Sequence, residues 1–272
     1  MNPVPSAVVP PASPPPARWS ERHPLMAMLL DFALAALILF AVVFLASFGW
    51  GLWQTVQAMR HSGGMAAGIA QPGLAFLLLA SSLATLMAAL ALYFLRRRAS
   101  VAERIHSRAA IRQPRTWLEA IAFGVVLFIA GSVLMYGLEV TNQAPEPSNL
   151  PMVQALFAYD PVLLWLLVVV VAPFAEELLF RRVLFGRLWA AGKPGVGMVA
   201  SGLLFALMHE LPGFSAAPWP GVLWLLSFYT AMGMAFAAIY RRTGTLWAAV
   251  IAHAVNNALG CAMLMMDGFN AG

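Results

Sequence analysis

Three short patterns set ionisable side chains inside otherwise apolar sequence. Glu176-Glu177-Leu178-Leu179-Phe180-Arg181 follows the apolar run from Val168 to Phe174, and Phe205-Ala206-Leu207-Met208-His209 and His253-Ala254-Val255-Asn256-Asn257 come later. An ionisable group inside an apolar helix costs about 2.5–3.5 kcal/mol on insertion scales, so it persists mostly where it faces a cavity or another such group. All three patterns have helical spacing. Glu177 and Arg181 are four apart and pair on one face. Glu176 is turned about 100° away by the helical pitch and can face elsewhere. A carboxylate without that counter-charge is suited to take and return a proton. His253 and Asn257 also share a face, and two donors held on a rigid helix can stabilise an oxyanion. The bland counterparts are a charged helix end, a structural histidine and hydrogen-bond glue between helices. His209-Glu210 begins like a zinc-protease HExxH pattern, but Gly213 stands where the second histidine is needed.

The elements that must carry these residues are membrane helices. Of the 272 residues 61% are hydrophobic and 10% charged, whereas a soluble domain carries about 25% charge. Apolar runs of about 20 residues match the bilayer core when helical. The runs are continuous rather than alternating, which predicts helices and not a barrel. Seven spans are predicted, at 25–49, 73–95, 117–140, 161–185, 196–211, 220–240 and 245–266. The fifth is short and contains Gly197 and Gly202, as re-entrant or broken helices do. The fold class is therefore an all-α polytopic bundle, with the chemistry between its last four helices.

Charge orients the bundle. With alternate loops cytoplasmic, every Lys and Arg except Arg60 falls on the inner side, as the positive-inside rule expects. This places the N-terminus in the cytoplasm and explains the net charge of +5 without a nucleic acid partner. Residues 1–24 read as a disordered, Pro-rich cytoplasmic tail, residues 25–140 as N-terminal transmembrane helices and residues 160–266 as the membrane domain that carries the three patterns. The first span reads as a retained signal anchor. The segment 99–116 reads equally as a helix on the inner membrane surface or as a solvated basic loop. Asp31 and Glu139 read as interfacial residues. At about 1.5 Å per residue, Glu176 and His253 lie roughly 12–13 Å from the inner ends of their helices and His209 roughly 20 Å. A shared site then needs a later start or a tilt for the fifth span. Cys261 allows no intramolecular disulfide.

In these residues the chain resembles the CAAX protease and bacteriocin-processing (CPBP, Abi) intramembrane proteases, and their type II CAAX prenyl endopeptidases in particular. The family pattern EExxxR, FxxxH and HxxxN is met in order by Glu176, Glu177 and Arg181, by Phe205 and His209, and by His253 and Asn257. The resemblance implies an all-α membrane bundle with its site between helices, opening toward the cytoplasm in the prenyl-protease members. It implies that Glu176 and His209 activate water, and that His253 and Asn257 bind the oxyanion. Glu177, Arg181 and Phe205 take supporting roles. The implied reaction is peptide-bond hydrolysis without an acyl-enzyme. Zinc on Glu176, His209 and His253 is an open option beside a metal-free site, and no other cofactor is implied. The implied substrate is a peptide or membrane protein, a lipidated C-terminus among the options, met within membrane lipid, here in a bacterial inner or plasma membrane. Two rival readings are a non-catalytic binding or immunity protein of the same family and, less favoured without visible inverted repeats, a proton-coupled transporter.

Overall fold

The computed structural model describes residues 19–62 and 70–270, so residues 1–18 of the Pro-rich tail lie outside the described residues. The described secondary structure is helical throughout. A short α1 (Trp19–Arg22) precedes α2 (Pro24–Ser62) and α3 (Leu74–Arg96), which pack as a pair. Next come α4 (Val101–Ile111), α5 (Pro114–Val140) and α6 (Leu150–Tyr159). The central span, Pro161–Ala190, joins α7 (Pro161–Trp165), a π-helical stretch Leu166–Val171, α8 (Ala172–Glu177), a second π-helical stretch Leu178–Phe185 and α9 (Gly186–Ala190). The chain ends with α10 (Pro194–His209), α11 (Trp219–Thr243) and α12 (Leu246–Asn270).

Among the described residues six helices are long and apolar enough to cross a bilayer: α2, α3, α5, the central span, α11 and α12. The fifth expected span is α10, a continuous helix of 16 residues, about 24 Å long and so shorter than the roughly 30 Å hydrocarbon core. Its glycines serve packing and do not break it. A Cβ on Gly202 would meet the Thr230 carbonyl oxygen at 2.7 Å and Met234 Cγ at 2.9 Å, so only glycine lets α10 lie this close to α11. Gly124 does the same for α5 against α12, where a Cβ would meet Val255 Cβ at 2.9 Å. Small residues at helix contacts are how bundles pack closely in lipid, where apolar burial gives little drive.

Charged side chains tie one end of the bundle together. Asp31 is fully buried and accepts hydrogen bonds from Arg96 and from Arg187, the latter with Nε at 3.0 Å. This corrects the interfacial reading of Asp31: its partners are 65 and 156 residues away in sequence and draw it inside. Glu139 is exposed at the end of α5.

The basic segment 99–116 holds a helix, α4, started by a capping box in which Ser100 and Glu103 exchange hydrogen bonds. It docks on the bundle end through a two-pronged Glu103–Arg182 pair at 2.8 and 2.9 Å and a 2.7 Å hydrogen bond between the Ser107 and Thr245 hydroxyls. His106 lies over Gly244, whose φ of +69° suits glycine at the turn into α12. The hydrogen bonds from Arg182 hold the Glu103 carboxylate down at about 2. A carboxyl depressed on folding stabilises above its unfolded pKa of about 4.3 and loses that contribution as pH falls toward its folded value. Protease nicking of α4 should therefore stay constant from pH 8 to about 5 and rise between about pH 4 and 2. Glu103→Gln should show the acid level of nicking already at pH 7.

Candidate active site

The site is built around a buried ion pair. Glu177 at the end of α8 and Arg181 one turn on, in the second π-helical stretch, are both fully buried, with Arg181 Nε 2.8 Å from Glu177 Oε2. Three rings close over the guanidinium: Phe205 at 5.0 Å, Phe236 at 5.6 Å and Phe180 at 5.7 Å from centroid to Cζ. Cation–π contact of this kind is worth most where water is excluded. Glu177 Oε1 also accepts the Nδ1–H of His253 at 3.0 Å. One carboxylate thus fixes a helix segment and, across the bundle, the ring of α12.

That hydrogen bond determines what His253 offers. With its proton on Nδ1, the neutral ring presents a bare Nε2, and it donates from Nε2 only as imidazolium. His209, the last residue of α10, is set the same way by donating Nδ1–H to the Phe205 carbonyl at 2.9 Å. Its ring lies between Phe205, 4.2 Å away centroid to centroid, and Tyr229 at 4.8 Å. Phe236 stacks on His253 at 4.6 Å. Both Nε2 atoms face the remaining carboxylate. Glu176 Oε2 is 3.6 Å from His209 Nε2 and 3.9 Å from His253 Nε2, and it has no hydrogen-bond partner in the protein. At such distances a polar contact is bridged by water rather than made directly.

Asn257 has a first task in the backbone. An i→i+5 pattern would pair the Val168 carbonyl with the N–H of residue 173, which is a proline and has none. Asn257 Nδ2 donates to that carbonyl instead, at 2.9 Å, while Asn256 donates to Asn257 Oδ1 at 3.1 Å. One amide N–H of Asn257 is left for other work.

Glu176, His209, His253 and Asn257 all line a cavity of about 830 Å³, within the range of ligand sites. The cavity runs away from the arginine-rich end. Its walls include Thr85 of α3, Ser132 and Glu139 of α5, Ser148, Leu211 and Gly260. Phe180 and the Glu177–Arg181 pair close it below. The cavity therefore opens at the end of the bundle opposite the arginines. At the mouth, the 145–149 loop is held by Glu210, a fully buried carboxylate that accepts the Ser148 hydroxyl at 2.8 Å and its N–H at 3.2 Å. The HExxH comparison gave Glu210 no role, and it has this one.

The depth difference is resolved at the helix ends: α12 begins at Leu246, only seven residues before His253, whereas the central span and α10 bring their residues in from farther away. The central span runs to Ala190 rather than 185, which puts Glu176 about 20 Å from its inner end and level with His209. Zinc on Glu176, His209 and His253 fits less well. Tetrahedral ligands at about 2.0–2.1 Å from zinc are about 3.3–3.4 Å apart, and the separations from Glu176 are 3.6 and 3.9 Å. Among the described residues no group of three His, Cys, Asp or Glu is arranged to hold a metal ion. Tyr229 was not singled out by sequence. Its only signal there is a hydroxyl-bearing ring in an apolar span.

Residues 158–259 match the family model described as type II CAAX prenyl endopeptidase Rce1-like. This stretch contains all three motifs, so the resemblance they carry holds for the C-terminal half, on an all-α membrane scaffold. Among curated proteins the chain is similar to "Putative membrane peptidase YdiL" of Bacillus subtilis (strain 168), with 30% identity over 145 residues. That match covers 52% of this chain and 53% of the relative, so the chain spans about half the length of the curated relative it matches. No solved structure matches. The apolar helices and the membrane relative together make this an integral membrane protein.

The two adjacent glutamates should separate cleanly in stability. Glu177→Gln leaves the Arg181 charge buried without its partner, a change that typically costs about 3–5 kcal/mol. Glu176→Gln breaks no hydrogen bond and should stay within about 1 kcal/mol of the parent. Thermal unfolding in detergent, read by near-ultraviolet circular dichroism, checks both.

Proposed function

We propose that this protein is an intramembrane endopeptidase in which Glu176 and His209 activate a water. The observation that carries this reading is the unpartnered Glu176 carboxylate, set 3.6 and 3.9 Å from two imidazole nitrogens on the wall of an 830 Å³ cavity. The Rce1-like match and the peptidase relative support a peptidase-type function. Glu176 takes a proton from water as the oxygen attacks the scissile carbonyl, and the bare Nε2 of His209 orients that water. The carbonyl π electrons move to oxygen. The resulting oxyanion is met by the spare N–H of Asn257 and by Nε2–H of His253, which must be imidazolium to donate, its charge balanced by the Glu176 carboxylate before attack and by the oxyanion after it. The proton on Glu176 passes to the leaving nitrogen as the C–N bond breaks, giving a carboxylic acid and an amine, and the acid's proton then moves to the amine to leave a carboxylate and an ammonium. No step uses a covalent acyl-enzyme or a metal.

The purified protein, incubated with quenched fluorescent peptides that include a farnesylated CAAX sequence, tests this directly. Wild type should cleave at least one peptide, and Glu176→Gln should lose at least about a hundredfold, the usual scale for a general base. A chelator should leave the rate unchanged. Loss on chelation with recovery on adding zinc would replace the metal-free water with a zinc-bound one. Equal rates for wild type and Glu176→Gln would overturn the proposal.

The N-terminus and the arginine-rich end lie on the cytoplasmic side of a bacterial inner membrane, because that end carries nearly all the bases. The cavity then opens toward the outer side. Its largely apolar walls, with Leu78, Leu127, Met232 and Leu264 among them, suit a membrane-protein segment or a lipidated peptide presented from there. In a Cys261→Ala background, Phe214→Cys should react with a membrane-impermeant maleimide on intact spheroplasts, and Arg241→Cys only after lysis. The reverse pattern would invert the orientation.

A further inference from the structure

A second cavity, of about 940 Å³, lies at the arginine-rich end, separated from the first by the buried ion pair. Its floor and walls are apolar and aromatic: Phe94 of α3, Phe174 and Leu178 of the central span, and Trp247 of α12, which stacks on Phe174 at 5.9 Å. Trp189 and Tyr240 meet edge to face above them at 5.3 Å. The rim is cationic, with five arginines (104, 108, 182, 241 and 242) against the single carboxylate of Glu103.

These arginines are not equivalent. Arg182 is paired with Glu103 and Arg242 with Glu119. Arg104, Arg108 and Arg241 are exposed and form no salt bridge with a carboxylate among the described residues. Arg182 is itself 7% exposed, and its Nε is buried without a hydrogen-bond partner. The site therefore combines excess positive charge with an unsatisfied buried donor.

Its depth and openness define the occupant. The cavity lies where α3 and α11 end and α12 begins, the level of lipid headgroups, and aromatic residues of amphipathic character gather at that level. Phe94 and Trp247, on either side, are 57% and 48% exposed, so the apolar part opens sideways onto the bilayer. Guanidinium groups are the residues of choice for phosphate. A free phosphate would use the rim and leave the aromatic floor idle.

We propose that this cavity binds one anionic phospholipid, its phosphate on Arg104, Arg108 and Arg241 and an acyl chain along Phe94, Phe174 and Trp247. Basic pockets between transmembrane helices on the cytoplasmic side take such headgroups in general. The assignment does not depend on the peptidase reading, since it concerns a different cavity. The lipid would also cover the docking site of α4, whose Glu103 reaches Arg182 from the same rim.

The test uses the full chain in phosphatidylcholine nanodiscs doped with phosphatidylglycerol, with retained lipid counted by native mass spectrometry after release. Wild type should retain one phosphatidylglycerol in preference to phosphatidylcholine. The triple variant Arg104→Gln/Arg108→Gln/Arg241→Gln should lose that retention by at least about tenfold, given the usual gain per basic residue near an anionic lipid. Arg60→Gln, at the other end of the bundle, should retain it as wild type does. Phe174→Ala/Trp247→Ala should weaken it while leaving the basic rim in place. All variants are compared at matched thermal stability. Equal retention of the two lipids by wild type, or undiminished retention by the triple variant, would overturn the proposal. Displacement by millimolar inorganic phosphate would also overturn it, assigning the rim to free phosphate.

Discussion

The structure depends on one charge pair kept away from water. Glu177 and Arg181 sit at zero exposure in the middle of a membrane bundle, where leaving either charge unmatched is far more costly than at a surface. Pairing them does more than cancel charge. It sets the rotation of the central span, so the neighbouring carboxylate of Glu176, about 100° round the helix, is turned into the cavity. It also supplies the acceptor that fixes the orientation of the His253 ring. Two of the three aromatic rings over Arg181, Phe205 and Phe236, also seat the two imidazoles. Phe205 touches the cation, His209 and His253 at once, so packing and electrostatics are not separable here.

Around this pair the bundle divides into a tied half and an open half. At the arginine-rich end, Asp31 gathers Arg96 and Arg187, and Glu103 gathers Arg182. Helices from distant parts of the chain are fastened there by charge-assisted hydrogen bonds, which are among the stronger polar contacts. At the other end the walls are largely apolar, with weakly polar Ser132 and Thr85 among them, and the carboxylate of Glu210 fastens a loop through Ser148 rather than one helix to another. Rigid anchoring on one side and room on the other is what a site needs if it must keep its geometry while admitting a chain.

Much of this was readable beforehand because local spacing in a helix is a direct statement about faces. The i,i+4 relation gave the Glu177–Arg181 pair and separated Glu176 from it, and continuous apolar runs placed the later helices to within about five residues, whereas α2 continues to Ser62, well past the 49 read for it. What the sequence could not convey was long-range pairing. The central span reads from sequence as 161–185, with three arginines, Arg181, Arg182 and Arg187, near that end. Each is in fact matched inside the protein, by Glu177, Glu103 and Asp31 respectively, so the helix continues to Ala190. Asp31 was misread for the same reason, since nothing near it in sequence names its partners. The bond from Asn257 to Val168 arises from a missing N–H at Pro173, a backbone effect with no side-chain signature.

The π-helical stretch Leu178–Phe185 carries a consequence for how this protein tolerates insertion and deletion. A π turn holds one residue more than an α turn in the same length. Removing a single residue there would let the segment relax into α-helix and leave the two ends of the span at nearly the same separation. The phase between the ends would be nearly kept as well, since either kind of turn closes one full rotation. Glu176 would keep its place in the cavity and Arg187 its place on Asp31. Only the faces of residues inside the stretch would shift, so the extra residue sets where Arg181 and Arg182 point while the two ends of the span stay in register.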